Sequence, residues 1–201
     1  MKVVAIVQAR MGSSRLPGKV LRRIKGRVLI ELLLARLSKA ARVDEIILAT
    51  SEKVIDDELA SYVQALGYRV VRGSENDVLS RYAKAARDAD ADIVIRITGD
   101  CPLVMPELVD AMLGRFEEAN LDYLSNFDPR TYPDGLDIEI FSAAALHRAD
   151  AEAVERYDRE HVTTFLRSSD EFSRDNVTNE GDLSHLRLTV DESTDLAVIE
   201  K

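Results

Sequence analysis

"KVVAIVQARMGSSRLPGKVL", residues 2–21, is the stretch from which the rest of the chain is read. Val3 to Val7 form a nearly continuous apolar run, the pattern of a strand buried on both faces. The eleven residues from Ala9 to Lys19 then supply two glycines, two serines, a proline and three cations, Arg10, Arg15 and Lys19. Glycine lets a backbone approach a ligand closely, and successive amide N–H groups in such a loop form a concave anion site. Cations gathered there repel one another unless something negative lies among them. A nucleoside triphosphate, with about four negative charges and a divalent metal, matches that number of donors. The alternative is a solvated loop whose arginine stems lie along the surface.

Spacing excludes two familiar phosphate-binding patterns. Five residues separate Gly12 from Gly18 and Val20 follows Lys19, whereas the kinase or ATPase loop has four residues there and Ser or Thr after its lysine. The dinucleotide fingerprint G-x-G-x-x-G does not occur.

Working outward, "LIELLLARLSKAARV" (29–43) repeats its leucines at helical spacing and "EIILAT" (45–50) reads as a strand. A helix at 54–67, a strand at 68–73, a helix at 76–89 and a buried strand at 92–100 continue the alternation. Strands separated by helices imply right-handed βαβ units, hence an α/β fold: an open, mostly parallel sheet of three layers with helices on both faces. Ligands of such sheets gather at the carboxyl ends of the strands, so the loops starting at Ala9, Thr50, Gly73 and Gly99 are expected to border one crevice. The second half reads as a smaller, irregular β/α extension. Its helices are expected near 106–120, 142–155 and 159–167, and its strands near 121–125, 136–141, 172–178 and 186–190. One domain over 1–201 is expected, cut short inside the helix that "DLAVIEK" begins.

Composition narrows the function. In 201 residues, 46% apolar and 31% charged, the net charge of −9 argues against general nucleic-acid binding, which needs a basic face. Cys101 is the one cysteine and has no internal disulfide partner. With no signal-peptide pattern and no apolar run of spanning length, the expected setting is the cytoplasm, away from membranes.

"QARMGSSRLPGKVL", "GSENDVLSRY", "RITGDCPL", "YPDGLDIEIFS", "REHVT" and "RLTVDESTDL" occur together and in this order. In that combination the chain resembles, over nearly its whole length, the spore-coat polysaccharide cytidylyltransferases, relatives of the CMP-KDO and CMP-sialic acid synthetases. The resemblance implies a Rossmann-like nucleotide-diphospho-sugar transferase fold and a reaction in which a sugar oxygen attacks the α-phosphorus of CTP with Mg2+ as cofactor. It also implies a homodimer. Carried onto matching positions, Arg10, Arg15 and Lys19 would bind the triphosphate, with Gly12 and Ser13 giving backbone contacts and Ala9 and Gly99 alongside. Arg10, Lys19 and Asp100 would carry catalysis, and Asp100 and Asp191 would hold the metal. One departure stands at Thr98, where the KDO enzymes have glutamine before Gly-Asp, and the cytosine preference comes from the likeness alone.

Each residue has a plainer reading beside this one. Asp100 can cap the helix opened by Pro106, and Asp191 sits in "DESTDL", itself a helix N-terminus. Ser74, Asp77 and Arg81 reach the crevice and can contact the nucleotide, or Ser74 or Asn76 merely caps the next helix. Asp137 and Glu139 share one face of a strand and are assigned, from the relatives, to the acceptor sugar. His161 is assigned to the substrate as well, as a base for a sugar hydroxyl or as a dimer contact, against the commoner structural role of an isolated histidine. Cys101 reads as a small packing residue. Two rival functions remain at this point: a glycosyltransferase using a ready-made nucleotide-sugar, and a nucleotide-binding protein without turnover.

Overall fold

The computed structural model describes residues 1–200. β1 (Val3–Gln8) is an interior strand, third of the seven in the sheet, buried from Val3 to Val7 as its apolar run requires. Val3, Ala5 and Val7 enter one core and Val4 and Ile6 the other, the period of two that a strand imposes. A single 3-10 turn (Lys19–Leu21) follows the loop, then a small hairpin of β2 (Arg23–Ile24) and β3 (Arg27–Val28), then α1 (Leu29–Leu37). β4 (Glu45–Ser51), α2 (Asp57–Ala65), β5 (Arg69–Gly73), α3 (Val78–Asp88) and β6 (Ile93–Thr98) continue the alternation. The second half contributes α4 (Pro106–Glu118), β7 (Tyr123–Ser125), β8 (Glu139–Ser142), α5 (Ala143–Glu152), α6 (Arg156–His161), α7 (Thr164–Ser168), β9 (Arg174–Asn176) and α8 (Ser193–Ile199).

Seven strands lie in the order β5-β4-β1-β6-β8-β7-β9, and β8 alone runs against its neighbours. α1, α2 and α4 pack on one face through residues such as Leu33, Leu59 and Met112, while α3 and α5 cover the other through Tyr82 and Leu146. The chain leaves β1 to build β4 on one side and later β6 on the other, and an open sheet forms its ligand crevice where the order reverses in this way. The expected three-layer sheet is therefore present. Among the described residues no helix is long and apolar enough to cross a membrane.

Four elements differ from the sequence reading, three of them where contacts distant in sequence intervene. α1 stops at Leu37 rather than continuing to 43, because Ala41 and Arg42 donate their amides to the Asp110 carboxylate of α4, at 2.9 and 3.0 Å. The helix expected at 159–167 is broken by buried Val162, whose φ of +66° costs about 1–2 kcal/mol for a residue with a Cβ. The break lets Thr163 donate its hydroxyl to buried Glu139, at 2.5 Å. No strand forms at 186–190. Instead Leu188 and Val190 donate their amides to the carbonyls of Asp134 and Asp100, at 2.6 and 2.8 Å, so the segment lies across the strand ends rather than joining the sheet. β8 starts at Glu139 rather than at 136.

Gly99 closes the junction between β1 and β6. Its amide donates to the Gln8 carbonyl at 2.7 Å, and a Cβ there would lie 2.6 Å from the Ala9 Cβ and 3.0 Å from the Gln8 oxygen. Gly99→Ala is accordingly expected to destabilise the fold by about 1–3 kcal/mol, read as a lower urea midpoint at unchanged slope.

Candidate active site

The loop after β1 is knotted around Met11. Its amide donates to Asp56 Oδ1 at 2.7 Å, and its carbonyl accepts from Ser13 and Gly18, each at 2.9 Å. Asp56 is buried just before α2 and also receives the Ser51 hydroxyl. Gly18, at φ +67°, takes the left-handed turn that sends Lys19 inward.

Lys19 is only 8% exposed, and its ammonium lies between two carboxylates, 3.0 Å from Asp100 Oδ2 and 2.7 Å from Asp191 Oδ1. Arg15 reaches the other oxygen of Asp191 at 2.8 Å, and Arg187 approaches it at 3.2 Å. Burial disfavours the charge of Asp100, but the Lys19 ammonium and the Thr98 hydroxyl together outweigh this, so the carboxyl sits below the usual range. Both rival readings of these aspartates fail. α4 is preceded by Met105 without any side-chain cap, and α8 is capped by the reciprocal pair Glu192 and Asp195, which leaves Asp191 outside the cap.

A cleft of about 200 Å³ opens above this cluster, lined by Ala9, Arg10, Ser13, Lys19, Gly99 and Asp100 among others. A second depression, of about 190 Å³, adjoins it across Gln8 and Arg10 and is bounded by Arg81, Arg96 and His161. Ser74 and Glu75 border a third, beyond β5. The loops after β1 and β6 line the first depression and those after β4 and β5 the third, and Gln8, Arg10 and Glu75 join the three through the second. Arg10 is on the rim, 3.6 Å from Glu75, and Gly12 faces the same glutamate.

Among the described residues no three His, Cys, Asp or Glu side chains cluster as a ready metal cage. The donor set nonetheless fits magnesium, which commonly takes one or two carboxylates and completes its shell with water and phosphate oxygens. Asp100 and Asp191 already converge on one positive charge.

Most of the other assigned residues have protein partners of their own. Glu139 is 2% exposed and accepts from Tyr123 at 2.7 Å, from Thr163 and from Arg96. It is therefore a buried structural carboxylate and not a contact for a sugar. Asp77, rather than Ser74 or Asn76, caps α3, accepting from the Ser80 amide at 3.0 Å and from Arg159 at 3.0 and 2.8 Å. Burial raises its pKa, but Arg159 and Ser80 outweigh that and hold it low. Arg81 is buried and donates to the Ser74 carbonyl at 2.7 Å, so it braces the loop from behind, and Ser74 itself accepts from the Asp77 amide at 3.1 Å. Asp137 forms a two-pronged pair with Arg130, at 2.5 and 2.7 Å, although burial still pushes its carboxyl up. His161 is exposed, its ring 4.2 Å from that of Tyr157. Cys101 is buried, with its thiol pushed well up by burial and by Asp100, as suits a packing residue.

Gln8, Asp56, Arg96 and Arg187 escaped the sequence reading. Acid in a helix's first turn is ordinary, so Asp56 carried no signal. The sign of Arg96 could have been read from its place: a charge in the middle of a buried strand must find a partner.

An open α/β sheet with a cationic loop after its first strand and two aspartates across the crevice belongs to the nucleotidyltransferase class of enzymes. A family model described as Cytidylyltransferase matches residues 4–195, and the chain belongs to that family. It is 37% identical over 171 residues to the spore coat polysaccharide biosynthesis protein SpsF of Bacillus subtilis, covering 83% of this chain and 70% of that one. A 3-deoxy-manno-octulosonate cytidylyltransferase of Geobacter metallireducens is 38% identical over 112 residues, 55% of this chain and 42% of that protein. Among solved structures, a cytidylyltransferase from Leptospira borgpetersenii superposes with a TM-score of 0.95 at 35% identity, over 100% of this chain and 85% of its own.

Arg187 links the site to the last helix. It holds Asp195 at 3.0 and 3.1 Å and keeps that carboxyl down at about 2 against its burial. A depressed acid contributes its full stabilisation above its unfolded pKa, about 4, and loses it as pH falls toward 2. Asp195→Asn is expected to be about 2 kcal/mol less stable at neutral pH. Its urea midpoint should also fall less than the parent's on acidification through that window.

Proposed function

We propose that the protein is a magnesium-dependent sugar cytidylyltransferase, moving CMP from CTP to a sugar oxygen with release of pyrophosphate, in the synthesis of a surface polysaccharide. The observation that carries this reading is the meeting of Lys19, Asp100 and Asp191 below the cleft, with Arg15 beside them. The family, and the likeness to a spore-coat polysaccharide protein and to an octulosonate cytidylyltransferase, supply the nucleotide and the kind of acceptor. An acidic sugar is the first acceptor to try.

Arg10, Arg15 and Lys19 would take the triphosphate oxygens, helped by backbone amides at Gly12 and Ser13 and by the close approach that Ala9 and Gly99 permit. Asp100 and Asp191 would hold the metal, which, when bound, neutralises charge on the transferring phosphoryl group and on the leaving pyrophosphate. The new bond joins the sugar oxygen to the α-phosphorus, the bond to the pyrophosphate oxygen breaks, and the hydroxyl proton leaves with solvent or a nearby base. His161 is our candidate on the acceptor side, with Asp137 beside its arginine. Positioning and electrostatics suffice, so no covalent enzyme intermediate is required. Lys19 has a second task, offsetting the two carboxylates before the nucleotide arrives. We take the chain to act as one nucleotidyltransferase domain in the cytoplasm and to dimerise through its less regular half.

A pyrophosphate-release screen of the four nucleoside triphosphates against sugar acids and sugar phosphates, with and without Mg2+, tests this. Turnover is expected with CTP, the product should retain the nucleotide, and Lys19→Ala and Asp100→Asn should each lower the rate by about 100-fold or more. Undiminished turnover in both variants would refute the assigned roles.

A further inference from the structure

Gln8 ends β1 where the two depressions meet, and it lines both. Its side chain is not free to turn, because Arg96 of β6 donates to its Oε1 at 3.3 Å. A guanidinium has donors and no acceptor, so only the oxygen of the amide can face it. Nε2 must then point away. Among the described residues that nitrogen has no hydrogen-bond partner, yet it is not among the buried polar atoms left unpaired, so it is open to the crevice.

Arg96 is itself fixed from behind. Its other terminal nitrogen donates to Glu139, which also accepts from Tyr123 and Thr163, and its guanidinium carbon lies 5.9 Å from the centre of the Tyr82 ring. Buried ion pairs of this kind add little stability over a well-packed apolar pair. Orientation is what this one supplies, since an apolar side chain in place of Arg96 would leave the Gln8 amide free to flip.

We propose that Gln8 Nε2 donates a hydrogen bond to the bound nucleotide, turned toward it by Arg96, which Glu139 holds in place. This rests on the nucleotidyl-transfer reading. Glu139 then serves the site through Arg96 and Gln8, without touching a substrate. The atom recognised is a hydrogen-bond acceptor, and it has two sources: a carbonyl or ring nitrogen of the base, or a phosphate oxygen.

Gln8→Glu keeps an oxygen for Arg96 and removes the N–H but adds a negative charge, so the neutral near-isostere Gln8→Met, which also lacks the N–H, is titrated beside it and only a loss common to both is assigned to the donor. Calorimetric titrations with CTP, cytidine and inorganic tripolyphosphate, together with melting curves, give the comparison. CTP affinity is expected to fall about tenfold or more while the melting temperature holds or rises. A matching loss with tripolyphosphate assigns the bond to phosphate, and a matching loss with cytidine assigns it to the base. Unchanged CTP affinity overturns the proposal. So does a loss that comes with a melting temperature lowered as far as in Gln8→Leu, because Gln8 would then be structural. Lys19→Ala in the same titration separates the two levels: if it alone weakens CTP, only the role of Gln8 fails, and if neither variant does, the nucleotide site itself is wrong.

A spectroscopic readout is also within reach, because the chain has two glutamines, Gln8 and Gln64. Glutamine-labelled protein gives two side-chain amide signals, and the one lost in Gln8→Glu should move when CTP is added. In the ligand-free protein, Arg96→Lys should move that same signal. A Gln8 signal indifferent to CTP refutes the contact, and one indifferent to Arg96→Lys refutes the orienting role.

Discussion

The Lys19 ammonium between Asp100 and Asp191 is the interaction on which the rest depends. It ties together three stretches far apart in the chain: the loop after β1, the end of β6, and the segment that leads into α8. A lysine mostly buried without carboxylates beside it would lose its charge or its place. Two carboxylates this close would repel without a cation between them. The three groups therefore specify one another, and the crevice forms where they meet.

Around that centre the protein uses charge to fix backbone and side-chain positions. Asp56 holds the Met11 amide and so shapes the loop. Arg187 spans Asp134, Asp191 and Asp195, joining the crossing segment to the helix that follows it. Arg96 and Glu139 act within the sheet, where the broken helix delivers Thr163 to the same carboxylate. Replacing a buried pair such as Arg96–Glu139 by well-packed apolar side chains would change stability little, whereas removing one partner leaves the other unpaired. The shared effect of these contacts is to leave few orientations open at the strand ends.

Much of this was legible in the sequence because it rests on local pattern. The apolar run of β1, the leucine spacing of α1 and the alternation of strands with helices gave the layered sheet, and glycines with cations after β1 marked the loop we propose for the triphosphate. Asp100 and Asp191 were found through motif resemblance, and the geometry then removed their capping alternatives. What failed depended on contacts distant in sequence. Glu139 was assigned, with Asp137, to the acceptor sugar, and only the arrival of Arg96, Tyr123 and Thr163 explains its burial. Similarly, α1 ends early because Asp110, 68 residues from Arg42, takes the amides beyond it.

The most direct test of the central claim is water-proton relaxation of Mn2+, as a stand-in for magnesium, titrated with the protein in the presence of CTP. The protein saturated with CTP is predicted to bind Mn2+ more tightly than CTP alone does, as read from the enhancement curve, and Asp191→Asn to lower that affinity toward the value for CTP. Equal Mn2+ affinity in that variant, with CTP shown to be bound, would contradict the claim that Asp100 and Asp191 jointly hold the metal on the triphosphate.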